Sequence, residues 1–427
     1  MELPRLLLVR QNFPDRRLAD IPGEVDRQLG AAAFAAKLKP GARVAIGVGS
    51  RGIRNLSTIV GGVVRYWRQA GMHPFLFPAM GSHGGATAAG QADVLAHYGI
   101  TEATMGCLII SQLEVVSLGK TADGIEAFMD REAYAADAVM LVNRVKWHTD
   151  FSGNIESGLF KMMAIGIGKL AGAQRYHNLG HHLGLEHVIR TVGRQALRSG
   201  KILGGLAILE DAYHDTARLE AVPADAMERR EEENLALVKS WMAKIPMNLD
   251  LLIVDEMGKN ISGMGIDTKV VNRTHRGEYN PWDYLPRIER IFVRDLSDNT
   301  YGNALGIGSV DVATDRLVRR IDSQATWVNA LTASNPSGAH VPIHYPTDRE
   351  CLERILPTAG RDDPSRVTIG WIRNTLELSR LALSETLRAE IAKNPILEIE
   401  DTLEFEFDGD NNLLSPFVPV RETAGAR

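Results

Sequence analysis

The stretch VAIGVGSRGIRNLSTIVGGVVRYWRQ, Val44–Gln69, decides the fold class. It opens on an apolar run, Val44–Val48, of the kind buried on both faces of a parallel sheet. A glycine-rich turn, Gly47–Asn55, comes next. Leu56–Gln69 then places apolar residues at helical spacing. Strand, glycine loop and helix in that order begin a βαβ unit. The flanking sequence repeats the alternation. Phe75–Phe77 reads as a strand and Ala88–Tyr98 as a helix. Ala138–Val142 (AVMLV) and Ile202–Leu209 read as further strands. Gly184–Arg198 and Ala226–Ala243 read as helices, the second with Asp225 as its N-cap. This order predicts an α/β fold with parallel or mixed sheets and helices on their faces.

The charged helix ends at Ile245-Pro246, and the strand LDLLIV, Leu249–Val254, follows at once. A boundary there predicts an N-terminal domain over 1–246 and a second α/β domain over 247–410, with an active-site cleft between them. The second domain has strands at Ile291–Arg294 and Arg366–Ile372 and a helix at Ser384–Lys393. LEFEF, Leu403–Phe407, alternates as an edge strand does, and the tail 411–427 is expected to return to the first domain. The start of the chain, MELPRLLLVRQNF, reads as a first strand rather than a signal peptide.

Composition excludes several classes. The net charge of −5 leaves no broad basic surface, which argues against nucleic acid as a partner. The two cysteines, Cys107 and Cys351, lie too far apart in sequence for a metal-type pair or a disulfide framework, and they fit a cytoplasmic setting. No apolar run reaches the roughly 20 residues that a membrane span needs. A homo-oligomer is compatible with the sequence.

Four segments place polar residues just after expected strands, the edge where open α/β sheets bind ligands. In GVGSRGIRN, Gly47, Gly49 and Gly52 match a dinucleotide-binding pattern. The acidic residue expected about 20 positions later is missing, however, because the next strand ends FLFPAM. Ser50 lies in this loop, and Arg54 at its mouth is shaped to bind a carboxylate. In PAMGSHGGAT, Pro78–Thr87, His83 stands among glycines, Gly81 included. It reads either as a surface turn histidine or as a general acid/base. The segment Asn143–Lys169 holds His148, Gly158 and Lys161. Lys161 sits in the apolar context LFKMMAI, as a snorkelling lysine or as a buried nucleophilic amine. RYHNLGHHLGLEH, Arg175–His187, gathers four of the twelve histidines. His177 and His181 at i, i+4 match a zinc pair, although Gly180 and Gly184 interrupt the expected helix. Further along, Lys259 and Lys269 lie in glycine-rich loops and could contact a substrate from the second domain.

These segments resemble the nickel-dependent lactate racemase family and its hydroxyacid racemase and epimerase homologues. GSHGGAT is similar to the family's Gly-Thr-His loop, SRGIR (Ser50–Arg54) to its Ser-Asp-Val-Thr-Arg segment, and HTDFSGNIESGLFK to its His…Lys stretch. Lys161 and His177 are 16 residues apart, as the family's covalent lysine and nickel-binding histidine are. The resemblance covers about residues 40–190. It implies an isomerase that inverts C2 of a 2-hydroxy acid by hydride transfer to a nickel-pincer nucleotide. That cofactor is a pyridinium-3-thioamide-5-thiocarboxylic acid mononucleotide carrying nickel, joined to Lys161. His177 would be the metal ligand. His83 and His148 would be the acid/base pair, and Arg54 would hold the substrate carboxylate. Ser50, Gly81 and Gly158 would line the cofactor, and Lys259 and Lys269 the substrate. Its partners would be the small hydroxy acid and the enzymes that build the cofactor. The sequence departs from the family in three places. Arg51 replaces an Asp, the His148–Lys161 spacing of 13 residues is longer, and the Tyr-Gln…Lys motif is missing. The implied substrate is therefore an acid other than lactate. The alternatives are a zinc hydrolase using His177 and His181, and a noncatalytic hydroxyacid-binding protein.

Overall fold

The computed structural model describes residues 3–49, 52–274 and 278–417. They form two compact units. One is Asp15–Met242 with Thr332–Ser334, and the other holds the remaining described residues. The fold is α/β, as the alternation requires.

The chain starts with β1 (Leu6–Gln11). Its LLLV run is hydrogen-bonded on both sides by strands from the C-terminal part of the chain, so β1 belongs to the other unit and not to the expected first domain. The unit Asp15–Met242 is built on a five-stranded sheet. Its strands are β2 (Arg43–Val48), β3 (His73–Pro78), β6 (Ala138–Arg144), β7 (Ile202–Glu210) and β8 (Thr216–Pro223), and the order is β3-β2-β6-β7-β8. The first four are parallel, and β8 runs antiparallel to β7 as the return arm of a hairpin. A small antiparallel hairpin, β4 (Val115–Lys120) and β5 (Glu126–Asp130), stands apart.

Alternation along the strands sends side chains to two cores. Val44, Ile46, Val48, Met140 and Val142 face helices α1 (Ile21–Ala32) and α2 (Leu56–Gln69). Ala45, Phe75, Phe77, Val139 and Leu141 face α4 (Lys169–Leu183), α5 (Leu185–Arg198) and α6 (Met227–Trp241). A third helix, α3 (Ala88–His97), follows the loop after β3. Burial on both faces explains the uninterrupted apolar strands. In α2, Leu56, Ile59, Val60, Val63, Val64 and Trp67 are all buried at i, i+3, i+4 spacing. Each such side chain contributes on the order of 1.5–3 kcal/mol. Asp225 does not cap α6. Ala226 stands at that position and makes no side-chain cap bond.

In the other unit, eight strands run in the order β12-β11-β10-β9-β13-β14-β1-β15. These are β9 (Leu249–Met257), β10 (Ile288–Leu296), β11 (Val312–Thr314), β12 (Ile343–Tyr345), β13 (Ile369–Ile372), β14 (Arg380–Ser384) and β15 (Leu397–Leu403). Ser384, expected to open a helix, ends β14; a 3-10 turn, Glu385–Leu387, follows and runs into a short α-helix, Arg388–Ile391. The edge strand ends at Leu403, where the expected one began, and it pairs with β1. Residues 411–417 of the tail belong to this unit, and residues 418–427 lie outside the described residues.

Candidate functional site

In the five-stranded sheet the chain runs from β2 to β3 on one side and then to β6 on the other. The order therefore reverses between β2 and β6, the switch point at whose carboxyl ends open α/β sheets bind ligands. The loops after β2 and β6 meet. A Cβ on Gly49, just past β2, would stand 2.9 Å from Asn143 Oδ1 at the end of β6 and 3.3 Å from the Met162 methyl.

The loop after β6 carries His148 and Lys161. Lys161 ends a short turn of α-helix, Leu159–Lys161. Met162–Gly166 then forms a π-helical turn closed by Ile167 N–H donating to Met162 O at 2.8 Å. Such turns commonly mark functional sites. Lys161 Nζ contacts His148 Nε2. The other ring nitrogen, Nδ1, accepts the Asp150 N–H at 3.0 Å and the Phe151 N–H at 3.4 Å. An acceptor nitrogen carries no proton, so the neutral ring holds its proton on Nε2, toward the lysine. Phe151 closes one side, its ring 4.3 Å from that of His148.

Buried carboxylates hold both ends of this loop. Glu156, fully buried, accepts His148 N–H at 2.5 Å, Gly153 N–H at 3.1 Å and Lys239 Nζ at 2.7 Å. Burial raises its pKa despite the lysine. Glu231 of α6 accepts Leu159 N–H at 3.0 Å and Phe160 N–H at 3.2 Å, and burial pushes its carboxyl up to about 7. Gly158 is required by this approach, since a Cβ there would lie 1.9 Å from Glu231 Oε1. Its carbonyl accepts from Asn143 Nδ2 at 2.8 Å.

His177 sits half-buried on α4, which runs unbroken through Gly180. Its Nδ1 donates to Ala173 O at 2.7 Å, leaving the Nε2 lone pair available to a metal. Burial, and then the positive charge of Lys161, hold this imidazole below its usual pKa. His181 is exposed on the same helix. Among the described residues, no three His, Cys, Asp or Glu side chains are grouped to hold a metal ion, whereas a catalytic zinc site needs about three protein ligands.

The His83 loop packs against this helix. A Cβ on Gly81 would stand 2.8 Å from the Ala173 methyl and 3.1 Å from Ile165 Cγ2. Ala173 lies one turn before His177, on the same face. Gln91 of α3 donates to Met80 O and Gly81 O, both at 3.0 Å. Lys169 Nζ donates to Gln91 Oε1 at 2.7 Å and to Pro78 O at 2.8 Å, and lies 3.7 Å from Asp130 Oδ2. The fully buried lysine of the Asn143–Lys169 segment is thus Lys169, pushed by burial down to about 8; Lys161 is half-buried.

Arg54 stands just before α2. Its guanidinium donates to Asp215 Oδ1 at 2.5 Å and lines a cavity of about 320 Å³ with Arg17, Pro22, Asn55, Thr58 and Thr216. None of His83, His148, Lys161 or His177 lines that cavity. Ser50 lies outside the described residues. Lys259 and Lys269 belong to the other unit. Lys259 Nζ meets Asn329 Oδ1. Lys269 is buried, with Asn280 Oδ1 at 3.1 Å and the Trp282 ring at 4.9 Å. No local sign in the sequence points to Glu231, Lys239, Gln91 or Asp130, because their roles depend on packing between segments.

No family model matches this sequence, and no curated protein matches it. Among solved structures, the chain is similar to the lactate racemase apoprotein from Thermoanaerobacterium thermosaccharolyticum. The TM-score is 0.50 and the identity 11%, over 87% of this chain and 99% of that one. At that identity the likeness shows a shared fold. Among the described residues, no helix is long and apolar enough to cross a membrane.

Proposed function

We propose that this protein is a racemase or epimerase of 2-hydroxy acids that uses a nickel-pincer nucleotide anchored on Lys161. The observation that supports this reading best is the meeting of Lys161 with His148 at the sheet's switch point, with His177 near enough to feel the lysine's charge. The donor set fits such a group. Lys161 offers an amine, the group that a covalent anchor needs. His177 offers one imidazole with a free Nε2, and a group that brings most of its own metal ligands needs only one from the protein. The fold shared with a lactate racemase agrees.

When bound, such a cofactor supplies a hydride acceptor beside a metal. The chain's residues do the rest. In this reading Arg54 turns from Asp215, and out of the cavity it lines, to take the substrate carboxylate. His83 and His148 are the acid/base pair: one takes the hydroxyl proton as C2 loses its hydride and becomes an imidazolium. This reading has the two histidines act from opposite faces of C2. A cofactor held by Lys161 and His177 would supply the hydride chemistry at C2, and the imidazolium gives its proton back to the oxygen. The cofactor-building enzymes are the implied partners in maturation.

The test uses protein made together with those enzymes. Intact mass should show an adduct that maps to Lys161. A C2-deuterated 2-hydroxy acid should racemise and keep its deuterium. Solvent hydrogen at C2, or full activity in Lys161→Ala, would overturn the proposal.

A further inference from the structure

We infer that helix α6 is a positioning element for the Lys161–His148 pair, acting through Glu231 and Lys239. This deepens the reading above and rests on it for its catalytic meaning. Its geometry stands on the chain's own residues. Glu231 and Lys239 lie eight residues apart in one helix, a span of roughly 12 Å. Glu231 takes the two N–H groups just before Lys161. Lys239 holds Glu156 at 2.7 Å and Gly153 O at 3.0 Å, and Glu156 in turn takes the His148 N–H. The two ends of the 13-residue loop are therefore fixed on one rigid rod. Both grips act on the backbone of the loop.

The choice of residues favours positioning over general stabilisation. Glu231 is almost fully buried, and its carboxylate faces two backbone donors. Burying a carboxylate is costly, and a well-packed apolar side chain commonly serves stability as well or better. What an apolar residue could not do is fix the direction of two N–H groups. Lys239 likewise lies 5.2 Å over the Trp147 ring, so its own position is set by the residue next to His148. Gly158, which a Cβ would drive into Glu231, lets the carboxylate reach the turn.

The experiment uses the full chain without cofactor, so a failed racemase assay does not bear on it. An amine-reactive acylating reagent labels Lys161, read by peptide mass with exposed Lys39 as internal reference. His148→Ala should change the relative labelling rate of Lys161 by about fivefold or more in the wild-type background. In Glu231→Ala or Lys239→Met, the same His148→Ala change should have little effect, because the contact it removes is already lost. Lys239→Arg should restore part of the coupling. Equal factors in all backgrounds would overturn the inference, since a structural role alone lowers stability without uncoupling the pair. If Glu231→Ala does not fold, Glu231→Gln and Lys239→Met complete the cycle.

Discussion

Lys161 Nζ lies against His148 Nε2, while the opposite ring nitrogen is held by the backbone N–H groups of Asp150 and Phe151. The ring can neither turn over nor shift its proton without breaking those bonds. The amine therefore faces a fixed donor. The proposed covalent anchor and the proposed acid/base residue share one contact, so a substitution at either is felt by the other.

Lys161→Ala should abolish the covalent adduct and the activity together, while leaving the fold intact, because Lys161 is only half-buried. His148→Ala should keep the adduct but lower kcat by about 10²–10⁴, the range of a lost general acid/base. Intact mass and steady-state racemisation separate the two outcomes. An adduct surviving in Lys161→Ala sinks the anchoring role.

Arg54 provides a test of substrate binding. Its side chain is 58% exposed, so solvent screens its pair with the largely buried Asp215 from the arginine side. Such a pair contributes no more than about 1 kcal/mol, so a substrate carboxylate can displace it. Asp215→Asn should lower KM by about fivefold or less with kcat unchanged. Arg54→Met should raise KM by about 10–100-fold, the scale of a lost charge-assisted bond. Unchanged KM in both variants would place the carboxylate elsewhere.

The sheet of the 15–242 unit was legible because its strands are buried on both faces and its helices carry clear periodicity; Leu56–Gln69 matches α2 end to end. Two features were not legible locally. β1 pairs with β14 and β15, strands more than 350 residues away, and no local pattern reports such partners. Arg54 looked available for a ligand because Asp215, its partner, comes from a hairpin 161 residues later. His83, His148, Lys161 and His177 all stand after strand ends in glycine-rich or helical segments, where their chemistry could be read. The carboxylates and lysines that hold those segments could not be, since a Glu or Lys on a charged helix such as α6 looks solvated until packing is known.

Lys169 and Asp130 test the support under the His83 loop. Burial moves both away from their charged forms, lowering Lys169 to about 8 and raising Asp130, so desolvation outweighs their attraction. Removing one partner leaves the other buried and unpaired. Lys169→Met should cost about 3–5 kcal/mol, and Asp130→Asn a similar amount. The double variant should cost less than the two together. Urea unfolding followed by circular dichroism measures all three. Strict additivity would show that the two residues do not share an environment.

Glu231 makes the stability of this unit depend on pH in a direction opposite to that of a salt-bridged carboxylate. Its folded pKa is raised from 4.5 to about 7 by burial, so the folded state holds a proton that the unfolded state has already released. Stability from this group is complete below the unfolded value. It falls as pH rises through the window from 4.5 to about 7, and is level above it. The full change is roughly 3 kcal/mol, given 1.36 kcal/mol per pKa unit. Glu231→Gln has no proton to release. Its unfolding free energy should therefore lie furthest below wild type near the acid end of the window and approach it by neutral pH. Denaturant curves of both proteins across the window measure this difference. A constant gap would mean that Glu231 titrates normally and that its two backbone bonds hold it charged.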